Sequence, residues 1–336
     1  MVTKSQRQRG FKTKLLLHYR KARFMLYSLG QVLNPIQLLH LVMTTFWIRP
    51  REFLTEWYVL QYMQGMPRVF LPPDGQYLGC IILAVGFGQE CCYAYWMAQR
   101  LARSYHCKVV VLRTLPNPHF GEPSGQAFQF FYRLPWLNLG WIAEELMGDY
   151  TADVPIMAVG FSKGGLDLTV LTKLLLEHHG ILVEDIFTLS TPWQGSRLWR
   201  KSRMLAGEFF RPGNADLLAM EEIAQSLRQQ WQVRFHFYAA RRFDQVVHPS
   251  DARFRRPPED HGLSATELKA RWYYAQPLWW QYGHTALFNV WAHHQIGRAI
   301  YAQLRNRSAH DPAERSRQRQ QAVEFSQQFL AGLPLD

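Results

Sequence analysis

Between about residue 80 and residue 304, short apolar runs alternate with longer segments of helical periodicity. Cys80–Val85, Lys108–Leu112, Val154–Val159 and Ile186–Ser190 are largely apolar, the pattern of strands buried on both faces. Val233–Ala239 alternates apolar and polar side chains like a further strand. The stretch after Gln89 to about Tyr105, Trp136 to about Tyr150, Leu166–Leu176 and 287–304 predict helices, and 197–232 does so with a break at Pro212-Gly213. Residues 52–78 hold aromatic helical material followed by Pro72-Pro73-Asp74-Gly75, a turn signal. Proline and glycine mark 114–134 as a loop region, and 249–270 is a second one. From 305 onward the chain is rich in Arg and Gln and predicts a solvated helix. Strands alternating with helices at this spacing predict an α/β fold with a parallel sheet covered on both faces.

One junction in that pattern carries chemistry. Val159-Gly160-Phe161-Ser162-Lys163-Gly164-Gly165 fits G-x-S-x-G, with a predicted strand before it and a predicted helix after it. Strand, tight turn and helix are the context in which this motif presents a serine. A serine raised above a sheet edge sits on a sharp bend, and glycine two residues before and after leaves room for it. The helix begins at once, so its N-terminal N–H groups and the positive end of its dipole point at the reaction centre.

A serine hydroxyl needs a base within reach, and the base needs an orienting carboxylate. Both are expected later in the chain, in the order Ser, Asp, His. Asp244 follows the late strand 233–239 and is the candidate acid, with Asp251 and Asp260 as rivals. His284, in Tyr282-Gly283-His284-Thr285 before the last core helix, is the candidate base. His248, His261, His293 and His294 compete with it, the last two inside a predicted helix. Two N–H donors are needed for the oxyanion. The candidates are the backbone N–H of Lys163 and that of Phe87, in the Gly86-Phe87-Gly88 loop after an early strand. Trp272, Tyr273, Tyr274, Trp279, Trp280 and Tyr282 precede the candidate base and suit either core packing or an acyl pocket.

Composition adds three constraints. The 336 residues are 48% hydrophobic, enough for a sizeable core. The four cysteines, Cys80, Cys91, Cys92 and Cys107, have neither disulfide-framework nor zinc spacing, so reduced thiols, no metal site and no cofactor are expected. Net charge is +12, but residues 1–51 hold ten Lys or Arg and no Asp or Glu. The other 285 residues carry only +2, which argues against a nucleic-acid-binding catalytic domain and for an arm that meets an anionic membrane surface. Phe24–Ile48 has no charged residue, yet Asn34-Pro35 interrupts it. An interfacial helix or helical pair, a cap on the core and a membrane span all fit that stretch. The arm does not resemble a cleaved signal peptide, because its basic region is too long and no small-residue site follows the apolar run.

Four stretches together resemble the bacterial triacylglycerol lipases and esterases of the α/β-hydrolase superfamily. They are Gly86-Phe87-Gly88 before a helix, the Gly160–Gly164 motif, Ser190-Thr191-Pro192-Trp193-Gln194-Gly195-Ser196, and Asp244-Gln245-Val246-Val247 followed later by Gly283-His284. The resemblance covers about 78–304. It implies an α/β-hydrolase fold with a lid, hydrolysis of carboxylic esters, Ser162 as nucleophile, Asp244 as acid and His284 as base. The chain departs from that pattern at Val85, where such lipases have a histidine, at Trp193, where a histidine is common, and at Lys163. The expected organisation is a basic helical arm over 1–51, a hydrolase domain over 52–304 with a lid region about 197–232, and a polar C-terminal helix over 305–336. The expected partners are an ester or lipid substrate and an anionic membrane surface, with no nucleic acid. The expected location is cytoplasmic, with peripheral attachment at the inner membrane.

Overall fold

The computed structural model describes residues 68–86, 94–112, 127–196, 209–240, 247, 251–254, 271–273, 290–308 and 312–333. Seven strands form one sheet: β1 (Val69–Phe70), β2 (Gly79–Ala84), β3 (Cys107–Val111), β4 (Ile156–Phe161), β5 (Asp185–Leu189), β6 (Arg234–Ala240) and β7 (Arg271–Tyr273). Their spatial order is β1-β3-β2-β4-β5-β6-β7, which puts β4 at the centre. Every neighbouring pair is parallel except β1 with β3. All residues of β2, β4 and β5 are buried, as the continuous apolar runs require of strands covered on both faces.

Among the described residues the helices are α1 (Tyr95–Tyr105), α2 (Ala127–Thr151), α3 (Lys163–His179), α4 (Ala215–Trp231), α5 (Val290–Ser308) and α6 (Pro312–Ala331). Alternate strand residues feed two separate cores. Ile82, Ala84, Ile156 and Ala158 pack with α2, α3, α4 and α6 on one face. Ile81, Leu83, Met157, Val159 and Phe161 pack with α1 and α5 on the other. The mostly parallel sheet with helices on both faces is therefore as expected.

Several details differ from the sequence reading. α2 begins at Ala127, inside the expected loop, and runs through Pro135. Proline removes a helical N–H; nearby, the buried Asn138 donates from Nδ2 to Leu134 O at 2.8 Å and accepts from Trp141 Nε1 at 2.9 Å. β1 and β7 are too short to leave a periodic signal. Within the segment expected as a lid, 215–231 is the crossover helix between the parallel neighbours β5 and β6, burying Leu217, Met220, Ala224 and Leu227 in the core. Asn214 caps it, accepting from Asp216 N–H at 2.7 Å. Residues 197–208 lie outside the described residues. The Arg- and Gln-rich tail does form a helix, but not a fully solvated one. Arg319, Ala322 and Ser326 of α6 are buried, and a Cβ added at Gly180 would lie 2.7 Å from Val323 Cα. The arm, 1–51, lies outside the described residues; among those that are described, no helix is long and apolar enough to cross a membrane.

Candidate active site

The central strand ends at Phe161, and Ser162 follows with φ 52° and ψ −125°. That backbone region is strained for any residue with a Cβ, and such strain persists only where surrounding contacts enforce it. The enforcing contacts are visible. Ser162 N–H donates to Leu189 O on β5 at 2.8 Å, and Ser162 O accepts from Gly165 N–H at 3.1 Å. A Cβ at Gly160 would lie 2.5 Å from Gly164 O and from Gly165 N and Cα. One at Gly164 would lie 2.5 Å from Val85 O and 2.7 Å from Ala84 O. These are backbone atoms that cannot swing aside, so the two glycines of the motif are demanded by space. Ser162 occupies the N-cap position of α3 but makes no capping bond with its side chain.

Two other strand ends converge here. Val85 O lies against Gly164, so the chain leaving β2 toward Gly86-Phe87 starts beside the first turn of α3. At the end of β5, Ser190 also has positive φ, 47°, and its N–H donates to Tyr238 O of β6 at 2.7 Å. The next residue, Thr191, is fully buried, and its Oγ1 would lie 2.0 Å from a Cβ at Gly165. Gln194 then ties this segment to the chain beyond β6. Its N–H donates to Asp251 O at 3.0 Å, and its side-chain amide donates to Arg253 O at 3.1 Å and Phe254 O at 3.3 Å. Trp193 is buried edge-on against Phe254 with ring centroids 4.7 Å apart.

Of the expected site residues, Ser162 and Lys163 stand where the motif places them, at the end of β4 and the start of α3. Asp244, His284 and Phe87 lie outside the described residues. β6 ends at Ala240, four residues before Asp244, and α5 starts at Val290, six residues after His284. Among the rivals, Asp251 is buried and joined through its carbonyl to Gln194, and His293 and His294 fall within α5. Cys80 and Cys107 are free and buried, and no cluster among the described residues could hold a metal ion.

The sequence reading missed Asp167. Lys163, immediately after Ser162, is buried, and its Nζ donates to Asp167 Oδ1 one helical turn further on. Asp167 is 1% exposed; desolvation holds its pKa above the usual carboxylate range while Lys163 pulls the other way. The i, i+4 spacing was the only signal for it.

The architecture is a mostly parallel α/β sheet whose central strand ends in a strained serine turn that opens a helix. No protein-family model matches the sequence, and no curated protein matches it. Solved structures do resemble it. The mature Bacillus licheniformis lipase BlEst2 is 15% identical, covering 66% of this chain and 91% of that one at a TM-score of 0.39. A soluble variant of Saccharomyces cerevisiae monoglyceride lipase, bound to a substrate analogue, is 11% identical, covering 71% and 90% at 0.47. Legionella pneumophila phospholipase PlaB is 9% identical, covering 74% and 63% at 0.45. At these identities and TM-scores the likeness carries no chemistry, which must come from this chain's own residues.

Proposed function

We propose that this protein is a serine hydrolase of carboxylic esters, with lipid-like esters as its substrates. The observation that carries the reading is Ser162, held at φ 52° on the central strand's end, directly before α3. In this reading Ser162 Oγ attacks the ester carbonyl while His284 takes its proton and Asp244 fixes the imidazole tautomer. The N–H groups of Lys163 and Phe87 hold the oxyanion, and α3 directs its positive end there. His284 passes the proton to the leaving alcohol as the tetrahedral intermediate collapses to an acyl-enzyme. Water, deprotonated by the same imidazole, then releases the acid and restores the serine.

A fluorophosphonate probe tests the reading. It is expected to label the full-length protein, and Ser162→Ala is expected to lose both labelling and at least ~10³-fold of ester hydrolysis. A folded protein that neither reacts with the probe nor cleaves any member of an ester panel would overturn it. The membrane contact is proposed for the basic arm on its charge alone. Vesicles containing anionic lipid are expected to bind the full chain more tightly than one lacking residues 1–51; equal binding removes that part.

A further inference from the structure

We infer that the buried Lys163–Asp167 pair is a positioning device for the nucleophile turn, holding the first turn of α3 with its cationic end at the oxyanion site. The inference rests on the serine-hydrolase reading above.

The first turn of α3 is weak by its own composition. Gly164 and Gly165 are consecutive, and glycine is the poorest helix former after proline. Space requires both: Gly164 meets the Ala84 and Val85 carbonyls, and Gly165 meets Thr191. The N-cap side chain makes no capping bond, and no acidic residue stands in the first turn. A turn that must present a backbone N–H at fixed geometry is thus built from residues that do little to fix it. The Lys163–Asp167 contact spans both glycines, from the residue before them to the residue two beyond. Ionic contacts one turn apart are the available local brace when side-chain capping is absent.

The orientation of the pair argues that it serves more than stability. A cation at a helix N-terminus opposes the dipole, and the favoured i, i+4 order places the anion first. Here the cation comes first. Both partners are also removed from water, with side-chain exposures of 7% and 1%, and buried pairs of this kind are commonly replaced by apolar residues at no loss of stability. A pair that is costly to bury and reversed in sign does have one favourable consequence. It places positive charge on the residue whose N–H faces the developing oxyanion, where electrostatic preorganisation acts on the transition state. Lys163 Nζ itself is turned to Asp167, so the lysine acts through the turn it holds and through its field. The partly buried Lys173–Glu177 pair on the same helix has the same order of signs at 2.7 Å but lies ten residues further along, which makes it an internal control.

The test uses full-length variants, reading kcat, KM, the rate of fluorophosphonate acylation and the thermal midpoint. Lys163→Met combined with Asp167→Leu is expected to keep or raise the thermal midpoint while lowering kcat and acylation about tenfold or more, with KM little changed. Lys163→Asp combined with Asp167→Lys is expected to be slower still, because the polarity is inverted. Lys163→Arg is expected to stay within about threefold of the parent rate. Glu177→Gln should alter none of these readouts. Parent-like acylation by the apolar pair would overturn the inference and leave the pair a packing feature. So would a reversed pair that reacts as fast as the apolar one, or an arginine variant as slow as it. Absence of labelling in the parent protein would instead sink the hydrolase reading itself, so the two failures are distinguishable.

Discussion

The two edges of the sheet are built on opposite principles. At the C-terminal ends of β4 and β5 the backbone takes positive φ at Ser162 and Ser190, and glycines let segments approach at distances no side chain would permit. At the N-terminal ends the chain is braced by ionic contacts. Asp185, which opens β5, is wholly buried and receives two bonds of 2.8 Å from Arg234 on β6. It also meets His236 Nε2 at 2.7 Å and Arg307 Nε at 3.1 Å. Glu184 beside it pairs with Arg307 at 3.4 Å and with Arg319 at 3.3 Å, which brings α5 and α6 onto this edge. At the start of β3, Lys108 donates to Asp149 at 2.8 Å, and Tyr77 donates to the same carboxylate at 2.5 Å. The difference teaches where each edge directs its free energy. The N-terminal edge uses charged side chains to fix the sheet and its covering helices, and the C-terminal edge holds strain that the rest of the fold must sustain. Ligands of open parallel sheets bind at the carboxyl ends of the strands, and the strained edge here is that one.

The largest effect expected from breaking this contrast is at Gly164. Gly164→Ala drives a Cβ into the carbonyls of Val85 and Ala84, so either α3 or the chain leaving β2 must shift. A displacement of about 1 Å in a reacting group costs on the order of 10²-fold in rate, so kcat/KM should fall at least that far. A variant with parent kinetics would show that the turn is not held by this approach.

A substitution at the opposite edge should separate stability from catalysis. Asp185→Ala leaves Arg234, His236 and Arg307 without their shared carboxylate and is expected to cost about 3–5 kcal/mol in denaturant unfolding. The specific activity of the remaining folded protein should stay at the parent level. A loss of activity matching that of Gly164→Ala would erase the distinction between the edges.

The smallest effect is in pH dependence. Burial alone would raise the Asp185 pKa, but His236, Arg307 and Arg234 outweigh it and hold the value far below the usual carboxylate range. A depressed carboxylate contributes stability that is complete above its unfolded pKa of about 3.9 and is lost as pH falls toward its folded value. Glu184 and Asp167 are raised, chiefly by desolvation, so their protonation opposes this trend. Burial would raise Asp149 as well, but bonds from Lys108 and Tyr77 lower it, so Asp185→Asn should shrink the acid limb without abolishing it. An unchanged limb in unfolding midpoints measured from pH ~6 down to ~3 would refute the assignment.

How much of this was legible in the chain depends on how local each feature is. The interior strands were found to within about two residues, because burial on both faces leaves an unbroken apolar run. The start of α2 was not, since the prolines and glycines of 114–134 read locally as a loop while the helix is held by the core. The crossover helix 215–231 was visible as a helix, but whether it covered the sheet or a site was not, because both roles need one apolar face. The bend at Ser162 was legible because it leaves a fixed glycine spacing. Asp167 was overlooked, since an i, i+4 pair of opposite charges usually marks a solvated face.

The sequence by itself determined the alternation of strands and helices, the site of the sharp bend and the charge asymmetry of the arm. Each is written in contacts between near neighbours or in composition. Only the tertiary structure decided that β4 is the middle strand, that Gly164 must yield to carbonyls of β2, and that Asp185 gathers charges from β6 and α5. Those facts pair residues tens to more than a hundred positions apart, and such pairs come into being only when the sheet closes its order in space.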